Sequence, residues 1–236
     1  MILEKKKETL LEKFSRVITV AGTAIMMNLL FLAACIPVVT IGQAWCGLMG
    51  AIRYNVRGDS WLKGFWVGFK TRWIRGSVAW IIGLFVALFL LNDMRVAQLA
   101  LEAGNMGALM PMIGSCVAFA VGVMLLLSAL CLNVYIPTDV MTWIRNIVNL
   151  LFKGFFGLLI GAGLCWAPVV VFCLYSGWLV YELVMVLICA YFAMTAFITT
   201  ALMKNPLIFF LVQARADGTL TAEEGLMPLP KEDEDE

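Results

Sequence analysis

The sequence predicts an all-α membrane protein: a polytopic bundle of about six transmembrane spans, with two amphipathic helices lying along the cytoplasmic membrane surface. Three observations carry that prediction. The 236-residue chain is 62% hydrophobic and only 14% charged, with a mean hydropathy of +0.93, more apolar surface than a soluble domain of this size buries. Its uncharged runs, Val17 to Ile52, Gly76 to Asn92, Ala103 to Thr138, Gly154 to Tyr181 and Leu183 to Met203, compare with the roughly 20 residues that a span needs. Its 17 Lys and Arg fall on one side of a six-span topology, with Arg95 as the single exception.

In chain order, Leu10, Leu11, Phe14, Val17 and Ile18 form an apolar stripe that leads into the first span, 17–36. "LAAC" at Leu32 to Cys35 has the look of a lipoprotein cleavage box, but Glu4, Glu8 and Glu12 interrupt the basic start and the stripe fits a retained helix. A single helix over Val17 to Ile52 would be about 54 Å long against a hydrocarbon core of about 30 Å. Pro37 removes a backbone donor and disfavours a helical Ile36, Thr40 is placed to cap a new helix and Gly42 loosens the turn, so the second span is 40–54. A hairpin that crosses and one that dips in and returns put the same charges on the same side, so charge counting leaves that choice open.

An internal helix over residues 60–74 precedes the third span, 76–92, and a short outer loop with Asp93, Arg95 and Glu102 leads to the fourth, 108–133. A second internal helix, 139–153, precedes the fifth span, 154–174, and an outer turn at Tyr175 to Glu182 leads to the sixth, 183–203. "KNPLIFFLVQ" fits the membrane interface. The domain reading is one helical unit over 1–215 and an acidic, disordered cytoplasmic tail over 216–236.

The two internal helices carry the candidate partner-contact residues. Trp61, Phe65, Phe69 and Trp73 recur every four residues, with Leu62 and Trp66 widening the stripe and Lys63 and Lys70 on the opposite face. In the second, Trp143 shares one face with Val140, Ile144, Ile147, Val148 and Leu151, while Thr142, Arg145, Asn146, Asn149 and Lys153 share the other. Such helices lie on a membrane surface by their aromatic rings, or dock on a partner through Trp61, Phe65, Phe69, Lys70, Trp73, Trp143, Arg145, Asn146 and Asn149. "LKGFWVGFK" and "LLFKGFFG" each run directly into a span, a short internal similarity.

Catalytic constellations are missing from the sequence. There is no histidine, no nucleophile elbow, no phosphate-binding loop and no carboxylate within a span, which argues against an enzyme and against a proton- or ion-driven pump, and no cofactor is implied. The seven cysteines sit in apolar runs without metal or redox spacing and read as small buried hydrophobes. Polar side chains at depth are Asn28, Ser115, Ser128, Thr195 and Thr199, with Thr40 and Gln43 near the hairpin tip. Asn28, Pro37, Thr40, Gly42 and Gln43 are the candidate hairpin-tip or solute-path residues. Gly154, Gly157, Gly161 and Gly163 include one GxxxG, a close-packing signal. A net charge of +1 implies no nucleic-acid partner, and the oligomeric state, a homo-oligomer included, stays open.

"MNLLFLAACIPVVTIGQAWCGLMGAIRYNVRG", followed by "WLKGFWVGFKTRWIRGSV", resembles the YesL-like family of bacterial integral membrane proteins, a domain of unknown function (DUF624). Asn28, Pro37, Val38, Thr40, Ile41, Gly42, Arg53, Phe65, Phe69 and Lys70 match that pattern, whereas Gln43 and Trp45 add bulk where relatives have small or mixed residues. "WIRNIVNLLFKGFFGLL" resembles the family's second internal segment. The resemblance implies a non-enzymatic protein of the bacterial plasma membrane, both termini cytoplasmic, accessory to carbohydrate uptake and in contact with ABC importer permease subunits. The alternative is a self-contained facilitator or channel.

Overall fold

In the computed structural model of the chain, Pro37 breaks the first apolar run where its missing amide requires. The structure describes residues 10–136, 139–174, 191–203 and 206–207. Helix α1, Leu10–Ala34, ends before Pro37, and after a short 3-10 turn at Val38–Thr40 helix α2 runs over Ile41–Val56. Thr40 does not cap α2 as predicted: its hydroxyl donates backwards, to the carbonyls of Ala34 (2.6 Å) and Pro37 (2.7 Å), and fastens the end of α1 instead. The reversal after α2 uses Gly58 at φ +79°, with the Asp59 amide donating to Tyr54 O at 3.0 Å.

The first internal helix is shorter than predicted. Helix α3 covers Trp61–Lys70, and a corner at Thr71 and Arg72 places Trp73 on the next helix, α4, Trp73–Glu102. This helix runs well past the predicted span end at Asn92, so Asp93, Arg95 and Glu102 lie on a helix and not in an outer loop. Residues 94–102 are mostly strong helix formers, Ser115 Oγ donates to the Asp93 carboxylate, and Gln98 Nε2 donates to Glu102 one turn on (3.2 Å). The helix stops at Gly104, φ +88°. After a 3-10 turn at Met106–Ala108, helix α5, Leu109–Tyr135, returns beside α4, with Pro111 in its first turn, where no intrahelical donor is lost.

Asp139 caps helix α6, Val140–Lys153, by accepting from the Met141 amide. Helix α7, Phe155–Leu174, follows Gly154 at a bend of 89° over its described first part. Helix α8, Tyr191–Leu202, packs along α7, and there the GxxxG reading holds: a Cβ at Gly157 would meet Leu202, and one at Gly161 would meet Thr199 Oγ1 at 2.8 Å.

Among the described residues two helices are long and apolar enough to cross a membrane, Trp73–Glu102 and the Met106–Tyr135 stretch that contains α5, and a third counts if the bent α6–α7 pair is one span. α2, with 16 residues, is about 24 Å long and falls short of the core thickness of about 30 Å. It lies at the centre of the molecule. Every residue from Gly42 to Ile52 is buried, because small residues on all its sides let α1, α3, α4 and α5 approach together. The predicted turn at Tyr175 to Glu182, the start of the sixth span at Leu183 and the tail over 216–236 lie outside the described residues.

Candidate functional site

α2 and α3 meet antiparallel along glycines. A Cβ at Gly68 would lie 2.5 Å from Cys46 O, and one at Gly64 would lie 2.7 Å from Gly50 O, so the two backbones touch with no side chain between them. Phe65 then lies flat on Gly47 and is fully buried, and Phe69 stacks 6.0 Å from it. The aromatic stripe predicted as a partner contact is therefore turned inward: Phe65 is wholly enclosed, and Trp61 and Phe69 are half-buried against the core. Leu62 and Trp66, predicted to widen the stripe, are exposed on the side of Lys63 and Lys70 instead, and Trp73 belongs to α4 and is exposed. The sequence held a signal for this, since Gly64 and Gly68 form a GxxxG within the aromatic stripe.

At the α3–α4 corner, side chains from other helices donate to the carbonyls of residues 71 to 73, and Arg72 O also accepts from the amides of Arg75 (3.0 Å) and Gly76 (3.3 Å). Gln43 Nε2, from the first turn of α2, donates to Trp73 O and more weakly to Arg72 O (3.4 Å). Asn133 Nδ2, near the end of α5, donates to Thr71 O at 3.4 Å. In return Arg72 Nη1 donates to Asn133 O (3.4 Å) and Ile136 O (2.8 Å), placing a cation on the buried carbonyl end of α5. Arg72 holds φ +45°, ψ +49°, a left-handed conformation that costs about 1 to 2 kcal/mol in a non-glycine residue and persists because the surrounding bonds fix it. The two amides converge over Gly76, where a Cβ would lie 2.5 Å from Gln43 Nε2 and 3.1 Å from Asn133 Nδ2.

Residues 24–94 match the family model DUF624, "Protein of unknown function". The DUF624 segment runs from the second half of α1 to the middle of α4 and contains Asn28, Pro37, Thr40, Gly42, Gln43, the α2–α3 contact and Arg72. Asn133, which closes the corner, lies outside it. The searches of curated proteins and of solved structures returned no match.

Of the hairpin-tip residues, the structure brings Gly42 and Gln43 to this corner. Gly42 lies against Trp80, whose indole donates to Val38 O at 2.9 Å. Pro37 is exposed, Thr40 is half-buried, and Asn28 is fully buried on α1, in the helix before the break. Sequence reasoning missed Asn133, read as the end of a span, and Arg72, counted only as a charge. An amide near the end of an apolar run was the available signal for the first; no local signal marks the second.

α6 has three sectors rather than two. Trp143, Ile147 and Leu151 pack against the core beside buried Leu150; Val140, Ile144, Val148 and Phe152 form an exposed apolar row; Arg145 and Asn149 are exposed on the remaining side, with Asn146 half-buried. Among the described residues no group of three or more His, Cys, Asp or Glu is placed to hold a metal ion. Cys46 and Cys131 are buried, whereas Cys116 is exposed on α5, contrary to the reading of every cysteine as buried. Outside the apolar helices, partial burial pushes the Arg57 guanidinium below its ordinary value, with Asp59 and Tyr54 acting in the opposite direction.

Proposed function

We propose that the chain is a non-enzymatic, six-span integral membrane protein of the YesL-like type, accessory to ABC-type carbohydrate uptake in a bacterial plasma membrane, with both termini cytoplasmic. One observation carries the contact role: α6 lies at 89° to α7, packs one sector inside and leaves an apolar row and a polar side outward. A helix across the axis of an apolar neighbour lies in the membrane plane, with its apolar row in lipid and Arg145 and Asn149 toward water, open to a partner. The charge bias supports the orientation, and the resemblance supports the transport setting.

The test is purification in mild detergent from the native host through a C-terminal tag, with bound proteins identified and the intact mass taken. ABC permease subunits in fixed ratio are the expected result, lost in Arg145→Ala/Asn149→Ala without loss of insertion. Recovery of the protein alone rejects the accessory reading.

A second reading, a self-contained facilitator, draws on the buried corner. Gln43 Oε1 and Asn133 Oδ1 have no hydrogen-bond partner among the described residues, although both side chains are fully buried. Two such acceptors are suited to a polar occupant. Flux of sugars or polyols into liposomes holding the purified protein alone, abolished by Gln43→Leu, is the outcome this reading requires.

A further inference from the structure

The outer face of α3 presents two lysines that no carboxylate among the described residues pairs with. Because Gly64 and Gly68 hold α3 backbone-to-backbone on α2, the helix cannot roll, and its opposite face is fixed outward. That face carries Lys63, Trp66 and Lys70, all exposed, beside Val67 and Thr71; together they line an open groove of about 610 Å³. Lys70 Nζ lies 5.9 Å from the centre of the Trp66 ring. Among the described residues neither Lys63 nor Lys70 has a carboxylate within ion-pairing distance, and no acidic residue lines the groove.

The position of the groove identifies its occupant. Lys70 precedes by three residues the start of α4, which is long and apolar enough to cross a membrane, and whose first turns expose Trp73, Ile74 (75%) and Val78. Two ammonium groups flanking an indole, directly beside an exposed apolar row, match a ligand with an anionic head and a hydrocarbon tail. Tryptophan at this level is the usual companion of headgroups.

We propose that the outer face of α3 binds the phosphate of an anionic phospholipid between Lys63 and Lys70, with the glycerol against Trp66 and an acyl chain on the exposed row that begins at Ile74. The site rests on α4 as a membrane span and is independent of any protein partner. Threonine 71 shapes the groove but is not a donor to the lipid, because its hydroxyl already donates to Val67 O at 2.6 Å.

The test uses the purified full-length protein in detergent, equilibrated with equal mole fractions of phosphatidylglycerol and phosphatidylcholine, and counts retained lipid by native mass spectrometry. Phosphatidylglycerol is expected to be enriched about 25-fold, as for two basic side chains that each contribute about a factor of five at an anionic surface. In Lys63→Gln/Lys70→Gln the enrichment falls to the phosphatidylcholine level, while Lys63→Arg/Lys70→Arg keeps it and shows that the charge is what matters. Equal retention of the two lipids by the wild type, or undiminished enrichment in the Gln variant, overturns the proposal. Displacement of phosphatidylglycerol by millimolar glycerol phosphate would assign the site to a soluble phosphate and overturn the lipid assignment.

Discussion

Helices α3 and α6 each carry aromatic rings beside lysine, each precedes a longer apolar helix, and each ends in a corner. α3 turns at Arg72, in a left-handed conformation held by donors from α2 and α5; α6 turns at Gly154, beside the flexible thioether of Met203. α3 buries Phe65, half-buries Trp61 and Phe69 and exposes Trp66 with its lysines, whereas α6 leaves an apolar row of four residues outside. The difference lies in the partner helix: α2 offers glycines and a shallow surface, so α3 sinks onto it until backbones touch. α6 meets side chains, and packs only one sector.

The largest effect is expected where backbone meets backbone. Gly68→Ala puts a Cβ 2.5 Å from Cys46 O, which has no room to move, and should leave no monodisperse protein on gel filtration. Gly154→Ala first meets the unbranched Met203 side chain, at 2.8 Å, which can change rotamer, and should yield folded protein with a lowered melting temperature. If the two variants behave alike, the distinction between the corners fails.

Next come the rings. Phe65→Ala opens a cavity against Gly47 and should cost about 3 to 5 kcal/mol in reversible unfolding from mixed micelles. Phe152→Ala, on a side chain 75% exposed, should leave the unfolding curve where it was. An equal loss at both sites would mean that α6 is buried as deeply as α3.

The corner donors give a smaller change. Asn133→Ala leaves Thr71 O without its amide donor and should destabilise by about 1 to 3 kcal/mol, measured in the same way. The smallest effect separates strain from capping at Arg72. Both Arg72→Gly and Arg72→Ala lose the bonds to Asn133 O and Ile136 O, but only glycine accepts φ +45° freely, so the Gly variant should be the more stable by about 1 kcal/mol.

Much of the fold was legible in the sequence because it depends on local rules. Pro37 had to end a helix, the glycine-lined start of α7 had to admit a close neighbour, and Asp139 followed by an amphipathic run had to begin a helix. Of the polar residues named at depth or near the hairpin tip, Asn28, Gln43, Ser115, Ser128, Thr195 and Thr199 are buried and Thr40 is half-buried, since a polar group within an apolar helix is directed to other helices. The candidate contact set fared differently: on α3 Phe65 is enclosed and Trp61 and Phe69 are half-buried, while Lys70, Arg145 and Asn149 face outward.

Composition and periodicity alone determined that this chain is helical, rich in membrane-length apolar runs, and two-sided in its short helices. Only the tertiary structure decided which of those sides would be covered. Periodicity measures how a helix divides its own surface, and carries no information about the depth of the surface it meets. That depth was set by residues distant in the chain: Gly47 and Gly50 received Phe65 and Gly64, and Asn133 reached the corner at Thr71 from the far end of another helix.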